Sequence, residues 1–163
     1  MELDQKTQLL HMQRCIRLAQ MHDSNVDPPY VGALVLSRDL EVIGEGYKKL
    51  IGGTTLAIHA ERMALEQAGE ETRGGILFTT LIPCVPYFRN SNDGPLLKTC
   101  GELIIESGIR MVVYGIDDKN KNFQCNPKGY ISGRSVKVQQ FKGLEGDITR
   151  VSDFYQWVSP TTF

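Results

Sequence analysis

The sequence predicts a three-layer α/β/α domain on a mixed sheet of about five strands. Three observations lead there. Short β-rich runs alternate with segments of helical periodicity, which implies helices on both sheet faces. Residues 74–82, "GGILFTTLI", and 109–116, "IRMVVYGI", read as compact buried strands. Residues 30–37, "YVGALVLS", and 41–49, "EVIGEGYKK", are joined by the short turn "RDL", which predicts a hairpin.

The elements follow in order. Residues 7–22 place Leu9, Met12, Ile16 and Ala19 on one helical face. Pro28 and Pro29 cannot continue that helix. After the hairpin, a glycine-rich loop, "LIGGTTLAI", leads into a helix that starts near His59; its "GGTTLA" lacks the Lys-Ser/Thr ending of a P-loop and reads as pocket wall. The strand at 74–82 ends in Pro83-Cys84, and a long loop rich in Gly, Pro, Asn and Asp follows. "TCGELIIESG" reads as a helix capped by Thr99 and stopped by Gly108. Past the strand at 109–116 come a second polar loop with room for a short helix, a last strand in "SVKVQQF", and an amphipathic helix over 143–158.

The chain of 163 residues points to a single domain over 1–163. At that size about 70% of the unfolded chain's surface is buried, enough for a core. Apolar residues make up 41% and charged residues 23%, the balance of a globular rather than a disordered chain. The acidic, polar start predicts no secretion signal, and no apolar run is long enough to span a bilayer, so the expected location is cytoplasmic. There the four cysteines, Cys15, Cys84, Cys100 and Cys125, are expected to be reduced, and a Cys/His set points to metal or catalysis. The net charge of −1 argues against a nucleic-acid partner.

That set begins at "IHAERMAL", residues 58–65. His59 stands two positions before Glu61; Pro83-Cys84 closes the next strand, and Cys100 opens the next helix. One imidazole, two thiolates and a water make the pattern of a catalytic zinc site, so His59, Cys84 and Cys100 are the expected Zn2+ ligands. H-x-E followed by P-C and a second cysteine is the signature of zinc deaminases, in which the glutamate moves protons and does not bind metal. Zinc lowers the pKa of its water toward about 7. Glu61 is expected to take the water proton, pass it to a ring nitrogen and later protonate the departing amine. Two residues turn a helix by about 200°, so His59 and Glu61 share a site only in a first turn. The usual signature has two residues between the cysteines; fifteen lie between Cys84 and Cys100, so the intervening loop must swing out and return.

With those motifs in place, the chain resembles the deaminase domain of the bacterial riboflavin-pathway deaminase–reductase, within the cytidine-deaminase-like superfamily. The likeness covers about residues 12–138, through "MQRCIRLAQ", "PPYVGALVL", "VIGEGY", "HAERMALEQAG", "TTLIPC", "GPLLKTCGELIIESGIRMVVYGIDD" and "SGRSVKV". It implies a hydrolytic deaminase of an aminopyrimidine nucleotide, most like the diaminohydroxyphosphoribosylaminopyrimidine step of riboflavin synthesis. It also implies a small-molecule base or nucleotide as partner, and a homodimer or homotetramer. The family's intercysteine loop holds the ribose phosphate, and by position Lys98 and Thr99 match its basic residue and threonine. Arg89, in the same loop, is a third candidate for the phosphate. Three positions depart from the family: Pro28 replaces an asparagine, Ile82 replaces a glutamate before Pro-Cys, and the intercysteine loop lacks the "SHxG" pattern. A stand-alone deaminase is expected, or a relative moved to another base such as cytosine, dCMP, guanine or a pterin.

Two rivals differ more. A tRNA-editing deaminase needs a basic surface for the phosphate backbone. A non-catalytic zinc-stabilised binding protein needs neither an open coordination position nor Glu61. Cys15 is expected in the core, His11 and His22 on the surface, Cys125 in a polar loop, and the aromatic tail of Phe154, Tyr155 and Trp157 in a docking or dimerising helix.

Overall fold

The computed structural model describes residues 3–86, 98–118 and 126–152. Arg89, Cys125, the aromatic tail and the stretch 153–158 lie outside the described residues.

Helix α1, Gln5–Ala19, starts at Asp4, whose carboxylate accepts from the Thr7 amide at 2.7 Å. It ends a turn before the predicted residue 22. The amides of Gln20 and Met21 bond three residues back, to Arg17 and Leu18, and the His22 ring leaves the helix to stack on Tyr30 at 3.5 Å. Strands β1, Gly32–Leu36, and β2, Val42–Tyr47, form the predicted antiparallel hairpin, with a bulge between Val35 and Leu36. Beyond β2 the chain makes a second, two-stranded sheet from β3, Lys49–Leu50, and β4, Ala57–Ile58. Helix α2, Ala60–Ala68, follows at once.

The remaining elements are β5, Ile76–Leu81; α3, Cys100–Glu106; β6, Met111–Ile116; α4, Pro127–Ser132; β7, Lys137–Gln140; and α5, Glu145–Ser152. The main sheet runs β2-β1-β5-β6-β7. The β2-β1 and β1-β5 pairs are antiparallel, and β5-β6 and β6-β7 are parallel. The sheet is therefore the expected mixed one of five strands. β1, β5 and β6 are buried along their whole length because helices cover both faces. α1 and α5 pack on one face, and α2, α3 and α4 on the other. Among the described residues no helix is long and apolar enough to cross a membrane.

One packing detail positions the site. Gly44 and Gly46, two apart on β2, face α2. A Cβ on Gly46 would sit 2.0 Å from the Ala60 carbonyl oxygen, and one on Gly44 would sit 2.1 Å from that of Ala64. Only glycine lets α2 lie this close to the sheet, and α2 carries Glu61 in its first turn.

Candidate active site

His59 occupies the N-cap of α2 with extended backbone, φ −76° and ψ 151°, and its side chain makes no capping bond. Ser, Thr, Asp or Asn is favoured there. The helix forgoes a side-chain cap, and the imidazole points elsewhere. Its Nδ1 lies 3.7 Å from Cys84 Sγ and 3.6 Å from Cys100 Sγ. Cys84 follows β5 through Pro83, and Cys100 is the first residue of α3. The three donor atoms all lie within 4.8 Å of one another.

The spacing fits zinc. Bonds of roughly 2.0 Å to nitrogen and 2.3 Å to sulfur, meeting at a tetrahedral angle, put the donors about 3.6 Å apart. Both nitrogen–sulfur distances agree with that separation. Two thiolates also balance the charge of Zn2+. His59, Cys84 and Cys100 can thus hold the ion together, with the coordination left open that a catalytic site requires.

Glu61, on the next turn position of α2, is only 4% exposed. One carboxylate oxygen accepts from the Thr79 hydroxyl at 3.2 Å, and the other lies 3.8 Å from Cys100 Sγ. The structure therefore brings His59, Glu61, Cys84 and Cys100 to one place, at the start of α2 as the first-turn geometry requires. Burial raises the Glu61 pKa, against the opposing charge of His59. Without metal, a hydrogen bond from Cys100 and contact with His59 hold Cys84 down at about 4, while Cys100 is pushed up by donating that bond and by burial. Hydrogen bonding to Cys84 raises His59.

The two cysteines are joined by backbone. The Cys100 amide donates to Cys84 Sγ at 3.4 Å, and the Gly101 amide donates to the Cys84 carbonyl at 2.8 Å. A side chain at Gly101 would collide with Val85, at 2.7 Å, so the close approach needs glycine. Thr99 caps α3 in a full capping box with Glu102. Arg62, on α2, donates to the Lys98 carbonyl and so ties the first turn of α2 to the segment that delivers Cys100.

The phosphate candidates fare differently. Thr99 is engaged in the cap, and exposed Lys98 pairs with Glu106 at 2.8 Å. Neither lines the cavity of about 180 Å3 that opens beside Glu61. That cavity is walled by Pro29, Val31, Leu81 and Ile82, with Lys48 and Asp118 as further polar groups. Residues 52–57, read as pocket wall from sequence, do not reach it and are exposed. Lys48 is the residue that sequence reasoning missed. It follows β2 directly, and its only signal is its place next to a strand that faces α2. Cys15 is fully buried as expected, whereas the His11 ring is partly covered by Phe78, with centroids 5.2 Å apart.

Fold and site together define a zinc-dependent deaminase, and the chain belongs to the cytidine and deoxycytidylate deaminase zinc-binding family, whose model matches residues 5–116. It is 32% identical over 143 residues to the riboflavin biosynthesis protein RibD of Haemophilus influenzae, a match covering 87% of this chain and 33% of that protein. It is 31% identical over 143 residues to the diaminohydroxyphosphoribosylamino-pyrimidine deaminase of Buchnera aphidicola, covering 87% of this chain and 84% of that one. The chain thus spans about a third of the length of the RibD relatives it matches and most of the Buchnera deaminase. The crystal structure of the Thermotoga maritima diaminohydroxyphosphoribosylaminopyrimidine deaminase/5-amino-6-(5-phosphoribosylamino)uracil reductase superposes with a TM-score of 0.74 at 32% identity, covering 96% of this chain and 42% of that one.

Proposed function

We propose that the chain, as a single domain, removes the exocyclic amine of the riboflavin-pathway diaminohydroxyphosphoribosylaminopyrimidine by hydrolysis. The observation that carries this reading is the buried Glu61 carboxylate, which borders both the cavity and the His59–Cys84–Cys100 donor set. The Buchnera deaminase, matched over most of its length, supports the choice of substrate.

His59, Cys84 and Cys100 would hold zinc, which when bound would supply a water acidic enough to be a nucleophile at neutral pH. Glu61, beside the donor set and the cavity, is placed to accept a proton from the attacking water and to hand it to the ring nitrogen next to the carbon under attack. Its raised pKa suits a group that must carry a proton as well as release one. Glu61 then takes the proton of the added hydroxyl and passes it to the exocyclic nitrogen, which departs as ammonia as the hydroxyl oxygen becomes the new carbonyl. Apolar Pro29, Val31, Leu81 and Ile82 exclude bulk water and sandwich the flat ring. The protein is read as cytoplasmic and as a homodimer or homotetramer. Lys98, Thr99 and Arg89 are the candidates for the ribose phosphate.

Ile82 on the cavity wall favours one second reading, the same chemistry on a different base, since the resemblance leads to a glutamate at that position. The test is ammonia release by the zinc-loaded protein from the riboflavin intermediate, cytosine, cytidine, dCMP, guanine and adenosine. Turnover of the riboflavin intermediate is expected. Turnover of another base alone would replace the substrate, and silence across the panel with zinc bound would sink the deaminase reading.

A further inference from the structure

We propose that Lys48 reads a ring oxygen of the substrate and so restricts the site to amino-oxo heterocycles, whose carbonyl carbon lies one ring nitrogen away from the carbon that loses its amine. The inference rests on the deaminase reading of the same site.

Lys48 follows the last residue of β2 and lines the cavity with Glu61 and His59. Its Nζ donates to the Asp27 carbonyl at 2.6 Å. That bond anchors the ammonium and uses one of its three N–H groups, leaving two. Among the described residues lining the cavity, Lys48 is the only Lys or Arg. Pro29, Val31, Leu81 and Ile82 offer the ring no side-chain hydrogen bond. A base seated with its reacting carbon at Glu61 therefore meets an anchored cationic donor in the same cavity.

Size separates base from phosphate. A cavity of about 150 Å3 holds one benzene, and this one is about 180 Å3. It holds one ring with its substituents, so a ribose phosphate extends beyond it, and Lys48 meets the base. Cytosine, guanine and 2-amino-4-oxopyrimidines all place an oxygen across one ring nitrogen from the amine-bearing carbon, and adenine carries no ring oxygen. A lysine ammonium donates and cannot accept. Facing adenine, its two remaining N–H groups would meet no acceptor on the ring carbon there, a mismatch that rejects substrates strongly. As water adds, negative charge on the intervening ring nitrogen delocalises onto the carbonyl oxygen. A donor there stabilises the transition state more than the ground state.

The test uses the zinc-loaded full chain with Lys48→Met, and Lys48→Gln as a second variant should Met fail to fold. Ammonia release is measured from the riboflavin intermediate and from its dephosphorylated form. Binding of isocytosine and of 2-aminopyrimidine, which lacks the oxygen, is measured by calorimetry. Lys48→Met is expected to lower kcat/KM roughly 10- to 100-fold on both substrates, to weaken isocytosine by a similar factor and to leave 2-aminopyrimidine unchanged. Equal weakening of the two rings, or a loss confined to the phosphorylated substrate, would overturn the proposal. A wild-type protein that holds zinc, releases no ammonia and binds neither ring would overturn the deaminase reading beneath it.

Discussion

The backbone amide of Cys100 points at the sulfur of Cys84 from 3.4 Å, although fifteen residues of chain lie between them. A two-residue spacer brings such cysteines together by connectivity alone. Here tertiary contacts do it: the Gly101–Cys84 backbone bond, the Thr99 cap and the Arg62 bond to Lys98. The entropy of the longer loop is modest, since each doubling costs only about 0.6 kcal/mol. A few hydrogen bonds worth about 1 kcal/mol each offset it. The long loop is thus compatible with an intact ligand set.

Arg62 is the contact that spans the two ligand-bearing helices. Replacing it by Met frees the Lys98 carbonyl and leaves Cys100 less firmly placed. Zinc affinity, measured by chelator competition, should fall roughly 10- to 100-fold, as for other residues that orient ligands. In the cobalt-substituted protein, weaker thiolate-to-metal absorption should accompany the loss. An unchanged affinity and spectrum would show that the backbone bonds alone hold Cys100.

Thr99 separates a capping role from a substrate role. Thr99→Ala should cost about 1 kcal/mol in urea unfolding, the usual value of a lost N-cap, and leave KM unchanged. A raised KM at unaltered stability would put Thr99 at the phosphate site.

Glu61→Gln keeps the volume and removes the proton carrier. Turnover should drop at least 100-fold, within the usual range for a lost acid–base group, while zinc content stays at the wild-type level. Retained turnover would remove Glu61 from the mechanism.

The metal-free protein should show one unusual thiol. Cys84, held at about 4, is ionised at neutral pH and loses its thiolate only as the pH falls through that value; Cys100, pushed up, stays protonated and is buried. Iodoacetamide should therefore label Cys84 at a nearly constant rate from pH 8 down to about 5, where an ordinary thiol slows tenfold per unit. Zinc should protect it. A rate that tracks an ordinary thiol would show that the Cys100 hydrogen bond does not form in solution.

Much of this site is legible in the amino-acid sequence. The helix start at His59 and Glu61 is readable, because a two-residue step brings both side chains to one place only there, and the sequence places that start correctly. The Thr99 cap and the hairpin are readable for the same reason: each depends on neighbours a few residues away. Lys48 is not, because nothing local distinguishes it from a solvated lysine at a strand end. It lines the cavity where Gly44 and Gly46 let α2 lie close to β2 and where Asp27, twenty-one residues earlier, anchors its amine. For Lys98 and Thr99 the sequence shows only their positions, and the structure adds their contacts, an ion pair with Glu106 and a helix cap. Periodicity, caps and ligand spacing are local and can be read along the chain. Which side chains converge on a cavity depends on how close the helices lie to the sheet, and packing across strands distant in sequence decides that.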